Sequence, residues 1–144
     1  MTKTELRIRE MTEPDLAEVQ FMHYGILQAG TPWIQDFHGY LEMGGLGFVA
    51  ENGKLAGYAL TAMTGRQARI DHLLVLPAYQ RNGIATNLVN AVIERYKVDR
   101  ARSLFVNISA DNEAALSLAR KHGFSLRDVK INDSDNRLYG RLEL

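Results

Sequence analysis

The strongest constraint on the fold is a segment that reads as a strand with apolar residues on both faces, Lys54–Met63. It follows the strand-like run Phe48–Glu51 and the turn pair Asn52-Gly53, an order that predicts a β-hairpin. A strand with two apolar faces must be covered on both sides, because either face would otherwise expose apolar surface to water. We therefore expect this strand at the centre of a layered sheet.

The rest of the chain alternates strand and helix patterns, which predicts an α/β fold with a mixed sheet. A capping box over Thr12–Asp15 is expected to begin the first helix, and Gly123 is expected to follow the last one. The predicted strands are Leu6–Arg9, Phe48–Glu51, Lys54–Met63, Ile70–Leu76, Leu104–Ile108, Phe124–Ile131 and Arg137–Leu144. The predicted helices are Leu16–Met22, Trp33–Met43, one that starts at Ile84, and Asn112–His122.

Length, charge and hydropathy limit the classes of function that remain. The 144 residues suffice for one core and contain no repeat or linker, so residues 1–144 are expected to form a single domain. The 17 basic and 17 acidic residues give zero formal net charge, so no nucleic-acid or membrane partner is expected. No apolar run approaches the ~20 residues of a membrane span and no leader pattern is present, which predicts a cytoplasmic protein.

The absence of cysteine limits the chemistry more sharply. Without a thiol the chain forms no disulfide and no zinc–thiolate site, and it cannot carry an acyl group on an enzyme sulfur. The four histidines lack the spacing of metal ligands, so no metal is expected.

The segment Val75–Ala85 carries the most chemical information. It lies between a predicted buried strand and a predicted helix, and Gly83 stands just before that helix. Unpaired backbone N–H groups and the helix dipole favour an anion there, and a glycine lets a phosphate oxygen approach the backbone. The segment has neither the Walker pattern nor the GxGxxG fingerprint. A plain strand-to-helix turn explains the same residues about equally well.

Three motifs in this order resemble the GNAT superfamily of acetyl-CoA-dependent N-acetyltransferases. The segment Gln80–Ala85, QRNGIA, is similar to the family's Q/R-x-x-G-x-G/A loop, and Val75–Tyr79 resembles its V-x-P-x-Y lead-in. Asn112–Ala115 and Lys121–Phe124 look like the family's N-x-x-A and K-x-G-F motifs. The resemblance implies a mostly antiparallel central sheet flanked by helices, with strands 4 and 5 splayed apart.

The resemblance also implies how acetyl-CoA would bind as a co-substrate. Its pantetheine arm would enter the gap between strands 4 and 5 and pair with the strand backbone, and its pyrophosphate would rest on the loop amides. For Asn107 an edge-of-sheet polar residue is the alternative, and for Asn112 an N-cap is equally plausible. The implied cofactor residues are Leu73, Val75, Gln80, Arg81, Asn82, Gly83, Ile84, Ala85, Thr86, Asn107 and Asn112.

Transfer of the acetyl group to an amine would need a base, because an alkyl amine with a pKa of about 10.4 arrives protonated. Asp71 stands where members of the family often have a glutamate base, and His72 is the second candidate. Strict alternation puts these side chains on opposite faces of the strand, so at most one is expected to face the gap. A carboxylate paired with Arg69 or Arg66 is the structural alternative for Asp71.

One position departs from the family's pattern. The family's N-x-x-A-x-x-L-Y helix often has a tyrosine that protonates the departing thiolate, and here Ala119 follows Leu118. A thiol with a pKa of about 8.5 leaves tolerably without an acid. Two function classes remain: an N-acetyltransferase in which the amine attacks directly in a ternary complex, and a non-catalytic acyl-CoA-binding sensor or complex subunit.

The acceptor site is the least defined part of the sequence. In the family it is shaped by the first two helices, and this region offers Tyr24, Trp33 and Asp36. Aromatic faces and a carboxylate suit an ammonium group, although packing of the aromatic rings on the core explains them more readily. The acceptor is expected to be an amine of a small molecule or a protein, and the resemblance implies a possible homodimer.

Overall fold

The computed structural model describes residues 6–26, 37–80, 83–128 and 137–144. Within them, the strands are β1 (Arg7–Glu10), β2 (Gly45–Glu51), β3 (Leu55–Thr64), β4 (Gln67–Val75), β5 (Ser103–Ser109), β6 (Ser125–Asp128) and β7 (Arg137–Glu143). The helices are α1 (Leu16–Ile26), α2 (Phe37–Glu42), α3 (Ile84–Val98) and α4 (Glu113–Lys121). Two short 3₁₀ turns cover Glu13–Asp15 and Pro77–Tyr79.

The strands form one mixed sheet in the order β1-β2-β3-β4-β5-β7-β6. All neighbours are antiparallel except β4 and β5, which run parallel and are joined through α3, because parallel neighbours need a crossover. The β4–β5 ladder joins Gln67–Ile70 to Ser103–Val106 and ends there, although both strands continue. The expected α/β fold, with a mostly antiparallel sheet and splayed strands 4 and 5, is confirmed.

The core lies on both faces of the sheet, as the two-sided strand requires. β3 lies between β2 and β4, and its first eight residues are buried. Tyr58 packs with Val19 of α1 on one face, and Ala59 packs with Leu88 of α3 on the other. Full burial of a large apolar side chain contributes about 1.5–3 kcal/mol. None of the described helices is long and apolar enough to cross a membrane.

Several predicted boundaries differ from the observed ones. The capping box is confirmed, because the Asp15 carboxylate accepts a hydrogen bond from the Thr12 N–H at 2.8 Å. The helix that follows, α1, ends at Ile26 instead of the predicted Met22. β4 begins at Gln67 because Gly65, with φ +62°, makes a tight turn that lets it pair with the end of β3. The predicted segments Trp33–Met43 and Phe124–Ile131 lie partly outside the described residues.

Candidate active site

A cleft of about 310 Å³ opens where β4 and β5 part, beyond the last paired residues Ile70 and Val106. α4 forms one wall of this cleft, through the stripe Ala115, Leu118, Ala119 and His122 that the helical period predicts. Besides His122, the polar lining residues are Asp71, His72, Asn107, Ser109, Asn112 and Arg137. The cleft therefore has an apolar wall and a cluster of polar and charged groups.

The backbone of β4 directs hydrogen-bonding groups into this cleft. The Leu76 N–H donates to the Ala56 carbonyl at 2.9 Å, so it points toward β3. Alternate residues of an antiparallel strand direct their N–H and C=O groups to opposite sides, so Leu73 and Val75 direct theirs toward the gap. The Gln80 amide nitrogen donates to the Val75 carbonyl at 3.1 Å. Beyond Ile70 these main-chain groups have no β5 partner.

The loop before α3 has the features that favour an anion. Gly83 is exposed with φ +76°, and no side chain caps the N-terminus of α3. The Ile84 side chain is buried in the core, so only its backbone is available to a ligand. Lys121 of α4 reaches the Thr86 hydroxyl at 3.5 Å and adds a positive charge beside the first helical turn. The predicted loop residues Arg81 and Asn82 lie outside the described residues.

Asp71 occupies a β-bulge. In the β3–β4 register Leu60 pairs with His72 and Thr61 pairs with Ile70, so Asp71 has no residue opposite it. Both Asp71 and His72 line the cleft, whereas strict alternation of the strand was expected to turn at most one of them toward the gap. The extra residue in β4 breaks the strict alternation on which that expectation rested.

Two side chains hold the Asp71 carboxylate. The Arg69 Nε donates to Oδ1 at 2.9 Å, and the Tyr40 hydroxyl lies 3.0 Å from Oδ2. Arg66 instead donates to the Arg100 carbonyl. The pairing with Arg69 therefore exists, yet the Asp71 side chain remains 26% exposed and lines the cleft. An ion pair and access to a ligand are both present.

Tyr40 is a site residue whose contact with Asp71 the sequence did not predict. Its ring packs against Gly45, where any Cβ would overlap ring atoms, and its hydroxyl also contacts the Thr61 carbonyl. Burial, followed by the charge of Asp71, raises the pKa of Tyr40 above its ordinary value, so the phenol keeps its proton. The pair Gly44-Gly45 after a short helix is the one sequence signal for this packing.

Asn107 and Asn112 both line the cleft and both have protein partners. The Asn112 side chain accepts a hydrogen bond from the Ala115 N–H at 3.1 Å, so the N-cap alternative is confirmed. The Asn107 Oδ1 accepts from the Arg137 Nε at 2.6 Å. Arg137, on β7, brings a cation to the cleft that sequence reasoning did not place there.

Ala119 has only a methyl group at the position where the resemblance implies a tyrosine acid. Ala119 lines the cleft and is 5% exposed. The titratable residue that continues this stripe is His122, which caps the C-terminus of α4 three positions after Ala119. Its Nδ1 is 2.9 Å from the Leu118 carbonyl and its Nε2 is 3.2 Å from the Asn90 side-chain oxygen.

The predicted acceptor residues are largely beyond what the structure describes. Tyr24 falls in α1, but its side chain is not described, and Trp33 and Asp36 lie outside the described residues. Among residues 6–26, 37–80, 83–128 and 137–144, no cluster of three or more His, Cys, Asp or Glu side chains is arranged to hold a metal ion.

Comparison with known proteins decides the family. A sequence profile described as the acetyltransferase (GNAT) family matches residues 7–124. The chain belongs to the GNAT acetyltransferase family. A ribosomal protein bS18-alanine N-acetyltransferase from Escherichia coli is 29% identical to this GNAT protein over 84 residues, which is 58% of this chain and 57% of that relative's length.

Solved structures share the fold of this GNAT protein. The crystal structure of the ribosomal-protein-S18-alanine N-acetyltransferase from Escherichia coli has a TM-score of 0.74 and 23% identity, covering 96% of this chain and 94% of the other. A putative acetyltransferase from Salmonella typhimurium, solved with its cofactor acetyl-CoA, has a TM-score of 0.76 and 18% identity over 96% and 94% of the two chains.

Proposed function

We propose that this GNAT protein transfers an acetyl group from acetyl-CoA to an amine. The observation that carries the proposal is the opening of the sheet beyond Ile70 and Val106, which gives a cleft with the Asp71 carboxylate on its wall. The family match and the neighbour solved with acetyl-CoA support the co-substrate.

Acetyl-CoA fits the cleft in two respects, and one existing contact would have to change. Leu73 and Val75 offer main-chain groups to the amides of the pantetheine arm, as an added strand would use them. The amides at Gly83 and in the first turn of α3 would hold the pyrophosphate, with Lys121 adding a positive charge nearby. Gln80 would have to release the Val75 carbonyl for that oxygen to accept from the ligand.

Asp71 is the base in this proposal. An acceptor ammonium group gives its proton to the carboxylate, and the neutral nitrogen then attacks the thioester carbonyl carbon. A C–N bond forms as the C–S bond breaks, and the electron pair leaves on sulfur as the CoA thiolate. The nitrogen loses its second proton to that thiolate or to water, which leaves a neutral amide. Arg69 and Tyr40 hold the carboxylate in place while this occurs.

The leaving thiolate needs no acid from the protein in this scheme. Ala119 offers none, and a thiol with a pKa of about 8.5 is a tolerable leaving group near neutral pH. The absence of cysteine from the chain favours direct attack in a ternary complex over an acyl-enzyme on sulfur.

The acceptor class we propose is an amine of a protein or a small molecule. The Escherichia coli relative is named for an alanine of a ribosomal protein, which supports a protein amine. The match covers only 57% of that relative's length, so the acceptor of this chain is proposed as a class of amine and not as that ribosomal protein.

A second candidate is a protein that binds acyl-CoA without consuming it, favoured by Ala119 in place of the tyrosine. The two candidates differ in turnover. Release of CoA from acetyl-CoA is measured with peptides, polyamines, amino acids and aminoglycosides as acceptors. Release well above the uncatalysed rate supports the enzyme, whereas tight binding without release across the panel supports the second candidate.

A further inference from the structure

Tyr40 lies behind Asp71 and does not line the cleft. Its hydroxyl contacts two acceptors, the Asp71 carboxylate and the Thr61 carbonyl. A phenol has one proton, so Tyr40 donates fully to one of these oxygens at a time. The other contact is satisfied only when a proton comes from elsewhere.

The Thr61 side of this arrangement is fixed by buried partners. The Thr61 hydroxyl is 2.7 Å from both the Leu46 carbonyl and the Tyr96 hydroxyl. Because a carbonyl only accepts, Thr61 donates to Leu46 and accepts from Tyr96. Thr61 is 0% exposed and Tyr96 is 1% exposed, so the carbonyl that faces Tyr40 belongs to a rigid part of the sheet.

The Asp71 side leaves one oxygen for an incoming proton. Arg69 donates a hydrogen bond to Oδ1, so a proton added to that oxygen would compete with the guanidinium N–H. The oxygen that faces Tyr40 is Oδ2. A proton on Oδ2 can be donated to the Tyr40 oxygen, provided that Tyr40 then donates to Thr61.

We propose that Tyr40 is a positioning residue whose hydroxyl turns between Asp71 and the Thr61 carbonyl as Asp71 takes up and loses a proton. This rests on the proposed role of Asp71 as the base. While Asp71 is a carboxylate, Tyr40 donates to Oδ2. Once the acceptor's proton is on Oδ2, that O–H donates to the Tyr40 oxygen and Tyr40 donates to Thr61. The contact between Asp71 and Tyr40 is therefore hydrogen-bonded in both states of the base, with no proton lost from the tyrosine.

The test measures kcat/KM in Tyr40→Phe, Asp71→Asn and the double variant. Tyr40→Phe keeps the ring that packs on Gly45 and removes only the hydroxyl. We expect kcat/KM to fall roughly tenfold to a hundredfold, the effect of one hydrogen bond to a charged group, with acetyl-CoA affinity unchanged. In the Asp71→Asn background Tyr40→Phe should lower kcat/KM hardly any further, because the two residues act as one unit.

Two controls separate this role from packing. Tyr58→Phe removes the hydroxyl of another buried tyrosine on the same face of the sheet and should leave kcat/KM near the wild-type value. The loss in Tyr40→Phe should fade at high pH, where the amine is already neutral. The titratable groups to account for around Asp71 are Arg69 and His72 on β4, Tyr40 on α2 and Tyr96 on α3.

The outcomes distinguish this inference from the proposed function. Independent, additive losses in the double variant would show a merely structural role for Tyr40 and overturn the inference. If kcat/KM is unchanged in Tyr40→Phe but lowered in Asp71→Asn, the inference about Tyr40 is overturned and the proposed role of Asp71 as the base is kept. If Asp71→Asn keeps the wild-type kcat/KM, both the inference about Tyr40 and the proposed role of Asp71 as the base are overturned. If Tyr40→Phe fails to fold, a ring-fluorinated tyrosine is placed at this position instead. Its more acidic phenol donates a stronger hydrogen bond to the Asp71 carboxylate. The acidic limb of the pH profile of kcat/KM should therefore move to lower pH. An unmoved limb would overturn the inference.

Discussion

Ile70 of β4 and Val106 of β5 are the last residues paired across the parallel centre of the sheet. β4 continues to Val75 with its other edge still paired to β3, and β5 continues to Ser109 with its other edge paired to β7. Each strand is therefore held in place by its outer neighbour while the inner edges separate. This is why the cleft is rigidly framed and why main-chain groups face into it.

The first prediction concerns the loop before α3. Acetyl-CoA at one hundred times its Kd should raise Tm by roughly 10 °C, because a ligand that binds only the native state stabilises it. Gly83→Asp should abolish this shift, since it places a negative charge beside the expected pyrophosphate. The measurement is thermal unfolding with and without acetyl-CoA.

Two variants separate charge from backbone strain in that experiment. Gly83→Ala meets no atom within 4 Å but strains the positive φ, so it should lower Tm and keep most of the ligand shift. Gly65→Asp adds the same charge at φ +62° in the β3–β4 turn and should keep the full shift. Undiminished affinity of a folded Gly83→Asp protein would show that this loop does not bind the pyrophosphate.

The second prediction concerns the base. Asp71→Asn should lower kcat/KM by ~10²–10⁴ at neutral pH and leave acetyl-CoA affinity nearly unchanged. The loss should shrink as the pH approaches 10, since an amine with a pKa of about 10.4 then loses its proton without help. An equal loss from neutral to high pH would indicate a structural role for Asp71. A larger effect of His72→Gln would assign the base to His72.

The third prediction concerns the missing acid. Ala119→Tyr places a phenol on the cleft wall at the position of the family's tyrosine. For an enzyme that expels CoA as a thiolate, kcat should change by no more than ~10²-fold and acetyl-CoA should bind about as well. The readout is steady-state kinetics beside calorimetric affinity. A larger rise in kcat would contradict departure of the thiolate without an acid.

The fourth prediction concerns stability in acid. Hydrogen bonds from Arg9 outweigh the effect of burial and lower the pKa of Asp15 from 3.8 to about 2. A folded-state pKa below the unfolded value gives stability that is present above about pH 4 and lost as the pH falls toward 2. Asp15→Asn should lower the free energy of unfolding by roughly 1–3 kcal/mol at neutral pH. Urea unfolding should also show a flatter decline between pH 4 and pH 2, and an unchanged slope would contradict the assignment.

The sequence predicts those parts of the site that depend on local order. Gly83 before a helix, the stripe on α4 and the two-sided β3 all follow from residue spacing within one or two elements. The three motifs that resemble the GNAT family identify the loop before α3 and the helix that lines the cleft. The fold class follows because alternating strands and helices have few layered arrangements.

The parts that sequence reasoning missed depend on contacts between distant segments. Asp71 meets Tyr40, which lies 31 positions earlier, and Asn107 meets Arg137, which lies 30 positions later. No periodicity signals such pairs. The bulge at Asp71 is a shift in register between two strands, and it is invisible in β4 alone because alternation there reads as regular.

Transfer of an isotope-labelled acetyl group tests most directly whether this protein acetylates an amine. Wild-type protein is incubated with labelled acetyl-CoA and the amine panel, and products are followed by mass spectrometry beside CoA release. We expect one labelled acetyl group on an amine nitrogen for each CoA released, with slower transfer in Asp71→Asn. Binding of acetyl-CoA without labelling of any amine above the uncatalysed rate would contradict it.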